Sequence, residues 1–434
     1  MLWKEKYKDR LMSCAEAAAT IKDGDRLFSP MGGSIPYQFY EALADRALEL
    51  KGLLITFGSV SKPLRICEKQ YNAAAKKQCF FMGRWERQYI SSGSDISYIP
   101  VHFSDMTGFV LENHYAKIIA ISGSAPDENG MISTGASHMD ASLLADADRV
   151  IVQVNRYQPY IQGEGTMIPM DRVDVLIEGD DEILESSRAP DDMDWKIGGY
   201  VAERISDGAC LQLGVGASSV TVGKLLRDRK ELGIHSEFLC DSMVELIDCG
   251  AVTNSRKALC RGITAFGFCS MSKYTLGFLD HNPKAEKRPY IWLNNPQTIA
   301  RNDNVVSVNS AIQIDLSGQV CAESIGLTEF SGTGGQADFV RGAKWSRGGK
   351  SFIAMKSSRT DKNGQLHSKI SLSLPLGSSV TTPKSDVHYI VTEYGVADLR
   401  GRTLADRARL LIGIAHPDFR DSLSFEARKA GIML

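Results

Sequence analysis

The feature that most restricts the fold is an internal repeat. Residues 21–27 read I-K-D-G-D-R-L and lead into Met31, Gly32, Gly33 and Ser34, while residues 205–211 read I-S-D-G-A-C-L and lead into Val215, Gly216, Ala217 and Ser218. Both segments share the frame I-x-D-G-x-x-L followed by a glycine turn. Two further pairs follow at similar spacing. The apolar run 117–121 precedes Asp127 to Gly130 as 305–308 precedes Asp315 to Gly318, and the β-branched run 148–155 is matched with 386–393. Three matched pairs in one order predict two similar halves. The length of 434 residues agrees, because one hydrophobic core rarely grows beyond about 250–300 residues.

Within each half, continuous apolar runs alternate with amphipathic stretches such as 37–50, 218–229 and 403–414. Continuous runs suit strands covered on both faces, and the amphipathic stretches suit the helices that cover them. The prediction is an α/β chain with two open, mostly parallel sheets. The polar stretch from Glu185 to Asp194 marks the joint, which gives domains 1–190 and 191–434.

Composition removes several function classes. No apolar run approaches the ~18 residues a membrane span requires, and the charged start from Met1 to Lys6 has no apolar export segment, so a cytoplasmic protein is expected. A net charge of −2 supplies no general basic field for a nucleic acid backbone. The nine cysteines are odd in number, scattered and without a C-x-x-C pair, which predicts free thiols rather than disulfides or a zinc site.

Three places can carry chemistry. The apolar run 209–213 reads as a strand, and Gly214, Val215 and Gly216 follow before a helix opens near Ser218. Such a loop turns free N–H groups outward at the carboxyl edge of a sheet, where it either holds a phosphate, carboxylate or oxyanion or is simply a tight turn. A dinucleotide fingerprint would need glycine at Ser219, and a P-loop would need glycine at Ser218 with serine or threonine at Leu225. The alternative P-loop ending at Ser351 has Lys344 at its first glycine. Second, Glu237 stands inside the mainly apolar stretch 233–241, where a carboxyl either caps a neighbour or reacts. His235 beside it reads as structural, and no histidine stands at metal-ligand spacing from it, so no metal is predicted. Third, Gly332, Gly334, Gly335 and Gln336 precede a basic run from Arg341 to Lys350, which is either a ligand-approaching turn or a solvated face. Glu393 reads as a strand-end cap rather than a second catalytic carboxyl.

Taken in order, Gly214-Val215-Gly216, His235-Ser236-Glu237, Val308-Asn309-Ser310, Gly334 to Phe339, Thr392 to Gly395 and His416-Pro417 closely resemble the acetyl-CoA hydrolase/transferase family, particularly its 4-hydroxybutyrate and butyrate CoA-transferases. Ser124 to Gly130 and Asn155 to Pro159 extend the resemblance across nearly the whole chain. It implies the CoA-transferase (NagB/RpiA-like) fold, two similar open α/β domains with the active site at the domain interface. The first domain would face the acyl group and acceptor, and the second would carry the catalytic glutamate. It further implies Glu237 as nucleophile and the amides of Val215 and Gly335 as an oxyanion hole. Gly214, Val215, Gly216, Ala217, Ser218, Asn309, Gly334, Gly335 and Lys362 would line coenzyme A. Acyl-CoA and a small carboxylate are then the substrates, with no permanently bound cofactor, no nucleic acid or membrane partner, and a homodimer or higher homo-oligomer as the assembly.

The implied chemistry is ping-pong, through a glutamyl anhydride and a glutamyl-CoA thioester. Departures from the family pattern at Ala217 to Val220, Arg156 to Gln158 and Gln162 to Gly165 leave the acid open among 4-hydroxybutyrate, butyrate, acetate and a dicarboxylate such as succinate or itaconate. Arg84, Arg87 and Arg156 are the expected carboxylate fork for a dicarboxylate. A hydrolase of the same fold and a non-catalytic CoA-binding regulator are the rival readings, and the second would have no need for Glu237.

Overall fold

The apolar runs form strands because β-branched residues fit a pleated surface that is covered on both sides. In the computed structural model, which describes residues 2–183 and 189–433, the run 118–123 is buried at every position. Residues 185–188 of the predicted joint lie outside the described residues.

The chain divides into two compact units, Met1–Ser186 with Ala265–Trp292 and Ser187–Thr264 with Leu293–Leu434. The first contains β1 (Leu11–Met12), β2 (Arg26–Met31), β3 (Leu53–Ser59), β4 (Ala75–Cys79), β5 (Ile96–Tyr98), β6 (Ile118–Gly123), β7 (Arg149–Asn155) and β8 (Val175–Gly179). They pair in the order β1-β8-β7-β6-β2-β3-β4-β5, and every pairing is parallel. Helix Tyr37–Arg46 packs on this sheet through Phe39, Tyr40 and Leu43, spaced to share one face. Its Tyr40 hydroxyl meets Ser29 Oγ on β2 at 2.8 Å, so even the polar tip is satisfied in the core.

The sequence reading placed 191–434 in one domain, whereas residues 265–292 belong to the first unit. Three backbone hydrogen bonds stitch them there: Cys269 N–H to Ala136 C=O at 3.1 Å, His281 to Tyr160 at 2.9 Å and Lys287 to Gln162 at 3.0 Å. The Lys287 ammonium is fully buried and donates to Thr134 Oγ1 and to the carbonyls of Gly135 and Ser137. Nothing in the local sequence distinguishes this excursion, because its apolar stretch reads like any other buried strand.

The second unit contains β9 (Cys210–Leu213), β10 (Gly233–Leu239), β11 (Val305–Ser310), β12 (Lys350–Ala354), β13 (Tyr389–Thr392) and β14 (Gly395–Asp398), in the order β10-β9-β11-β12-β13-β14. All these pairings are parallel except the closing β13–β14 hairpin. The first two sequence pairs occupy equivalent places, β2 with β9 and β6 with β11. The third does not. β7 lies beside β6, but β13 stands one strand further from β11, so by position β7 matches β12 and β13 matches β8. Two buried β-branched strands look alike in sequence whatever their neighbours.

From β9 the chain runs to β10 on one side and later to β11 on the other. The carboxyl ends of β9 and β11 therefore border the topological switch point, where open α/β sheets bind ligands. Helices Asp192–Ala202, Ala217–Leu225 and Asp241–Asp248 approach closely through glycines. A Cβ on Gly198 would come within 2.2 Å of Thr221 Oγ1, and one on Gly223 within 2.2 Å of Ser242 Oγ. Among the described residues no helix is long and apolar enough to cross a membrane, and the nine cysteines are free thiols.

Gly223→Ala is expected to destabilise the protein by about 1–3 kcal/mol, because the methyl must displace the neighbouring helix. Urea unfolding with an unchanged m-value and a lowered midpoint is the expected result.

Candidate active site

Gly214 follows β9 and donates its N–H to the Val308 carbonyl of β11 at 2.8 Å. Gly216 has φ +147° and opens helix Ala217–Leu225, a backbone setting that side chains rarely tolerate. A Cβ on Gly214 would stand 3.0 Å from Asn309 Oδ1, and one on Gly216 would stand 3.1 Å from Ser310 Oγ. The first glycine loop therefore lies against the end of β11, with the Val215 side chain 65% exposed between its two glycines.

Two of the residues expected to line coenzyme A have their side chains engaged elsewhere. Ser218 donates its hydroxyl to Asp194 Oδ1 at 2.9 Å, locking helix Ala217–Leu225 to helix Asp192–Ala202. Asn309 Nδ2 donates to Gln212 Oε1 at 3.2 Å and to Ser307 Oγ at 2.9 Å, and its Oδ1 accepts from Gln212 Nε2 at 3.1 Å. This amide pair holds the loop rather than offering free donors. Lys362 is exposed in the turn between Ser358–Thr360 and Leu366–Ser368. The start of that hairpin is fixed by Glu393 at the end of β13, which accepts from Ser357 N at 2.9 Å and Ser357 Oγ at 2.6 Å. Glu393 is thus a strand-end cap, as its sequence position suggested.

Glu237 lies on β10, on the same face as His235 and Leu239. Its Oε2 accepts from Asn294 Nδ2 at 2.6 Å. The second glycine loop meets it directly: a Cβ on Gly335 would stand 1.8 Å from Glu237 Oε2 and 2.2 Å from Asn294 Nδ2, so a side chain there would push the carboxyl and the amide out of their places. Gly334 has φ +56°, and Gly335 is the cap from which helix Gln336–Trp345 starts. Burial pushes the Glu237 carboxyl up to about 8; the Asn294 hydrogen bond opposes this and the nearby Asp338 charge adds to it.

The second loop is tied to the first through Ser310. Gln336 Nε2 donates to the Ser310 carbonyl at 2.7 Å, and Gln336 Oε1 accepts from Thr382 Oγ1 at 3.0 Å. Just upstream, Thr333 Oγ1 donates to Glu323 Oε2 at 2.9 Å. These contacts bring Gly214 to Gly216, Asn309, Ser310 and Gly335 into one cluster, which Glu237 joins at Gly335.

Asn294 escaped the sequence reading. It sits in an N-N-P run whose second asparagine has an ordinary role, since Asn295 Oδ1 caps helix Pro296–Ala300 by accepting from Gln297 N at 2.9 Å. Only its complete burial beside Glu237 sets Asn294 apart. The expected arginine fork does not assemble. Arg87 donates to the Met82 carbonyl at 2.8 Å, Arg84 stacks on Trp85, and Arg156 stacks on Tyr157. Arg84 and Arg87 follow β4 while Arg156 follows β7, four strand spacings away, or about 19 Å.

Residues 1–185 match the profile of the acetyl-CoA hydrolase/transferase N-terminal domain, and residues 272–427 match that of the C-terminal domain. The chain belongs to the acetyl-CoA hydrolase/transferase family. It is 39% identical over 433 residues to the succinyl-CoA:cyclohexane-1-carboxylate CoA transferase of Geobacter metallireducens, covering 98% of this chain and 97% of that one. It is 38% identical to the butyryl-CoA:acetate CoA-transferase of Anaerostipes caccae, covering 100% and 99%. The crystal structure of RipA from Yersinia pestis superposes with a TM-score of 0.93 at 35% identity, over 100% of both chains. These full-length relatives with named activities are CoA-transferases, and the chain is an enzyme of that class. Glu237 falls between the two matched regions.

Two outcomes follow from that geometry. Gly335→Ala should reduce turnover by about 10²-fold, because the methyl displaces the Glu237 carboxyl from its place; steady-state kinetics on folded protein check this. Glu237→Gln should raise the melting temperature. The folded carboxyl titrates near 8 against an ordinary value of 4.5, so its ionisation opposes folding increasingly across that window. The gain in Tm over the parent should be small at pH 4 and largest at pH 8 and above.

Proposed function

We propose that the enzyme moves coenzyme A from a short acyl-CoA to a small carboxylic acid, with Glu237 as the group that carries first the acyl residue and then coenzyme A. The observation that supports this is the Glu237 carboxyl in contact range of the Gly335 backbone with one amide donor from Asn294. Ionised Glu237 attacks the thioester carbonyl, the tetrahedral adduct collapses, and CoA thiolate leaves a glutamyl–acyl anhydride. The thiolate then attacks the glutamyl carbonyl, the first acid departs as carboxylate, and a glutamyl-CoA thioester remains. A second acid reverses both steps, so atoms and charge balance with no further reactant.

Each attack places charge on a former carbonyl oxygen. The Val215 and Gly335 amides are the proposed donors to it, and one such donor supplies roughly 3–4 kcal/mol of transition-state stabilisation. Gly214 to Ser218 and Gly334 line the coenzyme mainly with backbone, since Ser218 and Asn309 use their side chains within the protein. Lys362, exposed on its hairpin, is the proposed contact for a coenzyme phosphate. Acyl-CoA and a carboxylate are the partners this reading requires.

The acid is a short carboxylate, and the separated arginines argue against a single fork selecting dicarboxylates. One donor should be tested with acetate, butyrate, 4-hydroxybutyrate, succinate and itaconate, reading the CoA products by mass spectrometry. Consumption of the donor without any acceptor would mark a hydrolase instead. Incubation with acyl-CoA and then borohydride should reduce the glutamyl thioester and modify Glu237 alone, and labelling of a Glu237→Gln variant would sink the assignment. Because the free carboxyl titrates near 8 and reacts only when ionised, kcat/KM for the acyl-CoA should rise with pH through about 8. A flat profile between pH 6 and 9 would contradict it.

A further inference from the structure

The chemistry proposed above gives no task to His235, yet its contacts lead to the nucleophile. We infer that His235 is a positioning residue for Glu237: its Nε2–H holds the Leu293 carbonyl, which fixes the peptide carrying Asn294, and Asn294 in turn fixes the carboxylate. The inference rests on the reading of Glu237 as nucleophile.

The donor–acceptor sense of this chain is set by the neighbours. Asn302 Oδ1 accepts from the Ala258 and Leu259 amides at 3.1 Å each, so its Nδ2 is the atom that faces His235 Nδ1, at 3.4 Å. An amide NH₂ only donates. Nδ1 must therefore accept, the ring proton sits on Nε2, and Nε2 donates to the Leu293 carbonyl at 2.8 Å. The ring stays neutral: burial first, then the neighbouring Lys257 charge, push its pKa down to about 3. Its donor is thus constant across the working pH range.

Asn294 depends on that backbone anchor. Its Nδ2 donates to Glu237, while its Oδ1 is buried and has no hydrogen-bond partner among the described residues. Among the hydrogen bonds described, no other side-chain bond orients the Asn294 amide, so its direction is set by the peptide on either side. Asn295 fixes the following side by capping helix Pro296–Ala300, and His235 fixes the preceding one. The ring also meets Phe339 edge-on, with centroids 6.2 Å apart, and Phe339 lies one turn into the helix that starts at Gly335. Two residues along one strand face therefore act together, one reacting and one holding its partner.

The test compares His235→Gln, whose Nε2 reaches nearly as far as the imidazole donor, with His235→Asn, which is one methylene shorter. His235→Asn is expected to lose ~10- to 100-fold in kcat with KM for acyl-CoA within about twofold, and His235→Gln to recover to within about threefold of the parent. The pH midpoint of kcat/KM should move upward in His235→Asn, because Glu237 loses the hydrogen bond that favours its ionised form. In a double-mutant cycle, adding Asn294→Ala to His235→Asn should cost little more than either change alone. Equal kcat for the Gln and Asn variants, an unmoved midpoint, or losses that multiply would overturn the inference. Imidazole ¹⁵N NMR of the parent enzyme, independent of any variant's folding, should show a neutral Nε2–H tautomer assigned by its loss in His235→Gln; an Nδ1–H tautomer overturns it as well. Borohydride labelling of the parent separates the two readings. Label elsewhere than Glu237 defeats the nucleophile assignment, whereas label on Glu237 at equal rates in parent and His235→Asn defeats only the positioning role.

Discussion

The second unit is organised around a half-buried carboxyl group with little access to water. Burial makes the Glu237 anion costly, and Asn294 returns only part of what hydration would supply. Several local features bear on the place of that group. Gly335 is glycine because a methyl would enter the carboxyl oxygen, and Gly334 has positive φ so that the chain can turn beneath it. Gln336 and Thr333 pin the loop at both ends, to Ser310 and to Glu323. A partly desolvated carboxylate is a stronger nucleophile than a fully solvated one, so the burial that burdens the fold would serve the proposed chemistry.

Much of this was legible in the sequence. The I-x-D-G-x-x-L frame located β2 and β9, and the paired apolar runs located β6 and β11, because a switch-point strand followed by glycine leaves a strong local mark. Glu237 stood out as a charge in an apolar run. Legibility failed where the information is not local. The third repeat pair joined β7 to β13 although β12 is the positional match, since periodicity reports burial and not neighbours. The return of residues 265–292 to the first unit depends on hydrogen bonds to Ala136, Tyr160 and Gln162, which no pattern in 265–292 announces. Asn294 is invisible for the same reason, being an asparagine beside a helix cap until the fold sets it against Glu237.

The motif residues also divide in a way that sequence alone could not anticipate. A resemblance assigns positions to a ligand as a group, whereas hydrogen bonds show what each side chain is already doing. Ser218 is committed to Asp194, and Asn309 to Gln212 and Ser307. What such a loop offers a ligand is then its backbone, which explains why glycines dominate it and why Val215 can be exposed without a partner of its own. The arginines fail as a fork for a similar reason: each is already occupied by a neighbouring carbonyl or ring, and the strand order keeps them apart.

The two units show how one topology yields different crevices. Both place a glycine turn at the carboxyl end of the first switch-point strand, Gly32-Gly33 after β2 and Gly214 to Gly216 after β9. In the first unit the buried side chain of Gln158 enters that place, donating to the Gly33 carbonyl and Ser122 Oγ while accepting from Ala136 N at 3.1 Å. In the second unit the amide pair of Gln212 and Asn309 is satisfied within the sheet, and Ser310 Oγ and Asn309 Oδ1 stand beside the loop's glycines. One long amide thus lies against the first unit's glycine turn, while the other is turned back into its own sheet. Fold equivalence thus places a glycine turn at the same edge of both sheets, and the hydrogen-bond commitments of a few side chains make the two turns differ.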